Sequence, residues 1–299
     1  MTIDVSSTRP SPRWAVLVRL RDIIKRARAN DRVVLAGFFA SLFLLYYRAN
    51  LLNLIVGDIV PATRTLSGAE ILGFLAVASV LKDLKADYVL RWWDLLAIVG
   101  IMIACIHPSQ SVGAIGMTCL GLLLIARSDK RLASLGQLCI GLAWIDIWAP
   151  LALRFIEHWL LPIEAALAYL PLSLFGTFLV AGNIISNGNG HGIEIVEGCS
   201  AFRNTVITAF IWLSLMKIKK LDFHLQHFCI LAIALAAIVL LNTARVCVMA
   251  ISYSQYMFWH QGFGLVIVKV MMLSIVFGLF LFGLQNPRPP SSEPKHARV

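Results

Sequence analysis

Apolar residues in this chain run in long blocks, without the alternation of a half-buried strand, and short clusters of charge separate the blocks. A membrane-spanning helix needs about 20 such residues, each rising about 1.5 Å. Eight blocks read as spans: Val33–Val56, Glu70–Lys82, Leu95–His107, Ser111–Ala126, Leu132–Phe155, Asn204–Met216, Leu225–Ser252 and Phe263–Leu284. Those beginning at 70, 95 and 204 are short. A further apolar stretch, His158–Phe175, is broken by Pro162 and Pro171 and reads as an outer-surface or half-inserted element. Between it and the next span, Thr177–Ser186 and His191–Val196 flank Asn187-Gly-Asn-Gly190, the pattern of two β-prone runs around a tight turn. The pattern therefore predicts an all-α polytopic membrane protein of about eight transmembrane helices with a small extracytoplasmic β-hairpin.

Charge orients the spans. Arg9, Arg13, Arg19, Arg21, Lys25, Arg26, Arg28 and Arg32 precede the first block, which carries no convincing signal-peptide cleavage site. Lys82, Lys85 and Arg91 follow the second span, and Arg127, Lys130 and Arg131 the fourth. Lys217, Lys219 and Lys220 follow the sixth, and Arg288, Lys295 and Arg298 the eighth. Every second loop is basic, so both termini and these loops belong on the cytoplasmic side, and residues 176–199 and 253–262 on the other. A ninth span through 158–175 would invert the last loops.

Composition agrees. Of 299 residues 59% are hydrophobic and 14% charged, with mean hydropathy +0.80, whereas a soluble domain carries roughly 25% charged residues. The net charge of +10 sits in loops and tails, a membrane pattern and not a nucleic-acid footprint. The six cysteines form no C-x-x-C pair, so neither a disulfide framework nor a zinc site is encoded, and no cofactor or metal is expected.

Chemistry concentrates at one level. Cys199 alone among the cysteines is flanked by polar and small residues, in Glu197-Gly-Cys-Ser-Ala, with Ser200 placed to cap the following helix. A thiol there faces helix N–H groups and the positive dipole end, which favour thiolate. Arg245 lies inside an apolar helix about two turns, or roughly 10 Å, short of its end. An arginine at that depth needs a polar cavity or must snorkel to the interface. Asn242 shares its face and points to an inward polar cluster. His260 precedes the last span at the same level, and its neutral form suits proton transfer. Glu194 and Glu197 are the nearest outer carboxylates, able to orient His260 or to solvate the hairpin. Arg203 can bind substrate or serve as a surface charge.

These residues resemble the exosortase/archaeosortase family of polytopic membrane cysteine transpeptidases, most strongly over roughly 176–270. The matching positions are Gly182-Asn183, Cys199-Ser200-Ala201, Asn242-Thr-Ala-Arg245, and His260 with Gly264. Ala201 stands where the family usually has Gly. The resemblance implies a catalytic trio of Cys199 as nucleophile, Arg245 as substrate or transition-state stabiliser and His260 as proton-transfer residue. Asn242, Arg203, Glu197, Glu194 and Asn183 stand in support. It divides the chain into a cytoplasmic tail (1–32), N-terminal transmembrane helices (33–175), a catalytic core (176–284) and a second cytoplasmic tail (285–299). It implies a multi-pass protein of the cytoplasmic (inner) membrane. The expected substrates are exported proteins ending in a short motif, a hydrophobic helix and a basic tail, cleaved through a thioester and passed to an acceptor in the envelope or exopolysaccharide. The competing readings are a transporter holding an anion on Arg245, and a non-catalytic partner in exopolysaccharide assembly. The first lacks the two-half repeat common in transporters.

Overall fold

The computed structural model describes residues 39, 68–84, 99–104, 107, 110–127 and 129–284. The first predicted span, Val33–Val56, lies outside them apart from Phe39, as do the two tails. The described helices are α1 (Gly68–Lys82), α2 (Gln110–Ile125), α3 (Lys130–Ala143), α4 (Ala149–Leu172), α5 (Ala201–Ile218), α6 (Leu225–Ile251), α7 (Tyr253–His260) and α8 (Phe263–Gly283). Residues 99–104 are also helical. Stretches long and apolar enough to cross a bilayer are Lys130–Leu172, Leu225–Ile251 and Phe263–Gly283; Ser111–Ile125 is apolar but shorter. The described residues thus carry three clear span candidates, and the count of eight is not established.

The largest departure from the sequence pattern is at 130–172. The predicted span ending at Phe155 and the separate element after it are one continuous helical stretch of 43 residues. Pro162 and Pro171 are accommodated inside α4. The interruption comes earlier, as a π-helical turn at Trp144–Trp148. Pro150 has no N–H to give to a carbonyl one turn back, and the ladder slips so that Ala149 N–H reaches Trp144 O.

Small residues set the helix packing. At the α2–α3 crossing the backbones of Gly121 and Gly136 touch so closely that a Cβ on either would strike the other's carbonyl. Phe210 of α5 fills the notch left by Gly73 of α1 and Gly141 of α3, where an added Cβ would lie 2.6 Å from its ring. Trp148 Nε1 donates to Thr118 Oγ1 at 2.8 Å and ties the π turn to α2.

The predicted two-stranded hairpin is a three-stranded antiparallel sheet in the order β1 (Phe178–Ala181), β2 (Ile184–Asn187) and β3 (Gly192–Glu194). Its first run folds back on itself at Gly182, whose φ of 61° suits glycine, and the second turn uses Gly190 at φ 81°. The Asn187-Gly turn is where the sequence put it; the Gly182-Asn183 turn hid inside an apolar run. Ile185 and Ile193 are buried against Leu161, Ala165 and Ala168 of α4 and Val246 and Met249 of α6. Asn187 Nδ2 donates to Ile251 O at 2.8 Å, and a His191 ring nitrogen lies 3.0 Å from Met249 O. These bonds fix the sheet on the C-terminal end of α6.

The opposite end gathers basic loops. Lys220 pairs with Asp83 at 2.7 Å, and Lys219 Nζ donates to Leu281 O and Leu284 O at the end of α8. The described parts of the 82–91, 127–131 and 217–220 loops therefore share one end of the bundle, and Cys199 lies at the other end of α5.

Candidate active site

Four segments converge around Cys199. The chain leaves β3, turns at Val196–Gly198 with Cys199 N–H on Val196 O (2.8 Å), and enters α5 through Ser200. Cys199 is 2% exposed. From α6, Asn242 donates through Nδ2 to Cys199 O at 2.8 Å. One turn on, Arg245 is buried on the same helix face and donates from Nε to Trp259 O of α7 at 3.2 Å. His260 closes α7, its ring stacked on Tyr256 with centroids 4.8 Å apart and planes 13° from parallel. No hydrogen bond joins His260 to Cys199 among the described residues; each is coupled electrostatically to Arg245.

A family model described as "Transmembrane exosortase" matches residues 25–278. The chain belongs to the transmembrane exosortase family. No curated protein and no solved structure matches it. The exosortase family in general comprises cysteine peptidases and transpeptidases.

In this exosortase the electrostatics around the cysteine differ from the sequence expectation. Two of the helix N–H groups that were to favour thiolate, those of Ala201 and Phe202, are already occupied. Glu164 of α4 accepts from Ser200 Oγ at 2.8 Å and from Ala201 N at 3.1 Å, and Ser200 Oγ accepts from Phe202 N. A carboxylate thus sits on the dipole end that the thiol was expected to exploit. Burial pushes the Cys199 thiol above the usual cysteine range, Arg245 and a backbone hydrogen bond with Val196 oppose that, and Glu164 adds to it. His260 is held below the usual histidine range, first by burial and then by the Arg245 charge. The resting pair is a neutral thiol and a neutral imidazole.

Glu164 was missed because the two prolines made its segment look separate. Its signal was present: a lone carboxylate inside an apolar run needs a polar partner. None of the remaining candidates has a hydrogen bond to the thiol among the described residues. Asn183 Nδ2 donates to Ile195 O at 3.0 Å and to Glu194 Oε1 at 3.3 Å, a brace across the sheet. Glu194, Glu197 and Arg203 are exposed, and neither carboxylate is joined to His260. Among the described residues no cluster of His, Cys, Asp and Glu could hold a metal ion.

Two side-chain atoms of the site are buried and without a partner: Asn242 Oδ1 and His260 Nδ1. Such atoms cost roughly 1–3 kcal/mol each unless a ligand serves them. Both stand beside Arg245, whose Nη groups have no hydrogen bond among the described residues.

Proposed function

We propose that this exosortase is a membrane cysteine protease-transpeptidase that cleaves the C-terminal sorting signal of exported proteins through a thioester on Cys199. The observation that supports the reading is the convergence of Cys199, Asn242, Arg245 and His260, where Asn242 Oδ1 and His260 Nδ1 are buried without a partner. His260 takes the thiol proton as Sγ attacks the scissile carbonyl carbon. Charge developing on the carbonyl oxygen falls to Arg245 Nη, because the N–H groups of Ala201 and Phe202 are bonded to Glu164 and Ser200. Collapse breaks the C–N bond, the imidazolium protonates the leaving amine, and a thioester remains. An acceptor nucleophile then attacks the thioester and gives its proton to His260, which returns it to the thiol. With an amine or hydroxyl acceptor of the envelope this is transpeptidation; with water it is hydrolysis. Asn242 holds Cys199 by its carbonyl and offers Oδ1 to a substrate N–H. The active site faces away from the cytoplasm, on the side opposite the basic loops.

The test is interception. Membranes holding the enzyme and a tagged substrate with a motif, helix and basic tail are treated with hydroxylamine. A thioester yields a C-terminal hydroxamate on the tagged product, and Cys199→Ala yields neither hydroxamate nor cleavage. Unchanged processing by Cys199→Ala would sink the cysteine-enzyme reading and favour the transporter or assembly-partner alternatives.

A further inference from the structure

At the end of the bundle opposite Cys199, two cavities meet at a single residue. The first, about 480 Å³, is lined by Lys130 and Arg131 from the start of α3 and by Lys217 and Lys220 from the end of α5 and the loop after it, against Asp83 and Asp222. Four cations face two carboxylates. Lys220 is engaged by Asp83 at 2.7 Å, but Lys130 stands 4.0 Å from Asp222, and Lys217 lies over the Phe223 ring, 4.4 Å from its centroid. Arg131 has no ion pair among the described residues. The cavity therefore presents net positive charge.

The second cavity, of similar size, lies among α3, α5 and α6 and is walled by Ile140, Ile145, Leu213, Leu231 and Leu235. Gln137 lines both. Trp212 lines the second and packs against Phe223 of the first, ring centroids 5.7 Å apart. Gln137 Oε1 and Trp212 Nε1 are both buried without a hydrogen-bond partner. A lone indole N–H and a lone amide oxygen in an apolar wall ask for an acceptor and a donor.

Read from the bundle end inward, the surfaces are cationic, then polar, then apolar. That is the order of phosphate, glycerol ester and acyl chain in a membrane lipid. We propose that the joined cavities hold an anionic glycerophospholipid. Its phosphate lies among Lys130, Arg131 and Lys217, its ester region at Gln137 and Trp212, and one acyl chain in the apolar cavity. Trp212 N–H donates to an ester carbonyl, and Gln137 Oε1 accepts from a headgroup or glycerol hydroxyl. A free phosphate would leave the indole and the apolar wall unserved, and an uncharged lipid would leave the cations facing one another. Basic pockets between membrane helices hold anionic headgroups on these principles. The cationic cavity lies a helix length from Cys199, the apolar one extends back along α5 as far as Thr205, and neither is lined by Cys199, Asn242, Arg245 or His260.

The test uses the full chain purified in detergent and incubated with phosphatidylglycerol, phosphatidylcholine or inorganic phosphate. Retained lipid is counted by mass spectrometry after detergent exchange, and Tm is followed in parallel. Phosphatidylglycerol should be retained about tenfold better than phosphatidylcholine and should raise Tm. Inorganic phosphate should do neither. Arg131→Gln with Lys217→Gln should erase the headgroup preference. Gln137→Leu and Trp212→Phe should weaken retention of both lipids and leave the preference intact. Equal retention of the two lipids by the unaltered protein overturns the proposal. So does full stabilisation by phosphate alone, which would make this a small-anion site. Absence of any retained lipid means the chain itself fills the cavities, and also overturns it. These outcomes are read on the unaltered protein, so a variant that fails to fold does not decide the matter.

Discussion

A buried thiol kept neutral beside a neutral imidazole sets the residue-scale expectations. Cys199→Ala and Cys199→Ser should abolish processing while folded protein stays in the membrane, whereas loss of Cys119, Cys139, Cys229 or Cys247 should leave turnover nearly unchanged. Arg245→Lys keeps the charge but not the planar fork, since an ammonium cannot hold Trp259 O and a substrate oxygen in fixed relation. Its kcat should fall about 10²–10³-fold, and near-full activity would make Arg245 an anchor and not a clamp. The acid limb of kcat/KM tests the base. His260 is depressed, so activity should persist below the ordinary histidine pKa of about 6.5 and vanish only as falling pH protonates the ring. His260→Asn should remove that limb together with the activity. Glu164→Gln should lower the pH at which Cys199 reacts with a small thiol reagent, because it deletes a negative charge that raises the thiol. A titration shifted upward would contradict this electrostatic account.

Elements were legible in the sequence wherever apolarity alone decides them, and obscure where backbone contacts decide. The α6 and α8 spans came directly from long, predominantly apolar runs. The turn at Asn187–Gly190 came from its residues. The single stretch from 130 to 172 did not, because proline was weighed as a breaker while the buried faces of α4 hold the helix through it. Cys199, Asn242, Arg245 and His260 could be placed at one level by counting residues along helices. Glu164 could not, since its role depends on α4 lying across the N-terminus of α5. The Gly121–Gly136 crossing makes an element-scale prediction. Gly136→Ala should destabilise the α2–α3 pair by about 1–3 kcal/mol, seen as a lower Tm without altered Cys199 reactivity. Shortening the 187–190 turn breaks the Asn187 bond to Ile251. If β3 serves as a docking edge for an extended substrate, capture should weaken more than labelling of Cys199 by a small reagent. Equal loss of both would point to collapse of the site.

At the scale of the whole molecule, α5 separates two chemically distinct ends, one with the thiol, sheet and α7, the other with the basic loops. On the alternation of basic loops, the second is expected on the cytoplasmic side. Impermeant reagents added from outside should modify single cysteines placed at exposed positions 188–190 and spare those at 219–220. The reverse pattern would put the thiol in the wrong compartment for exported substrates.

The occupied N-terminus of α5 has a consequence for the lifetime of the enzyme. A thiolate, and not a thiol, is the species that attacks oxidants and stray disulfides, and it must be accessible to do so. If Cys199 faces away from the cytoplasm, as proposed, no reducing system maintains it, and a permanently activated thiolate there would be consumed by sulfenic acid formation or mixed disulfides between encounters with substrate. A Glu164 side chain capping the helix, with the thiol sealed at 2% exposure, would leave the proposed nucleophile dormant until a substrate expels water and borrows Arg245. On that reading, slow chemistry at rest is what would keep the one proposed nucleophile among the six cysteines intact in an oxidising compartment.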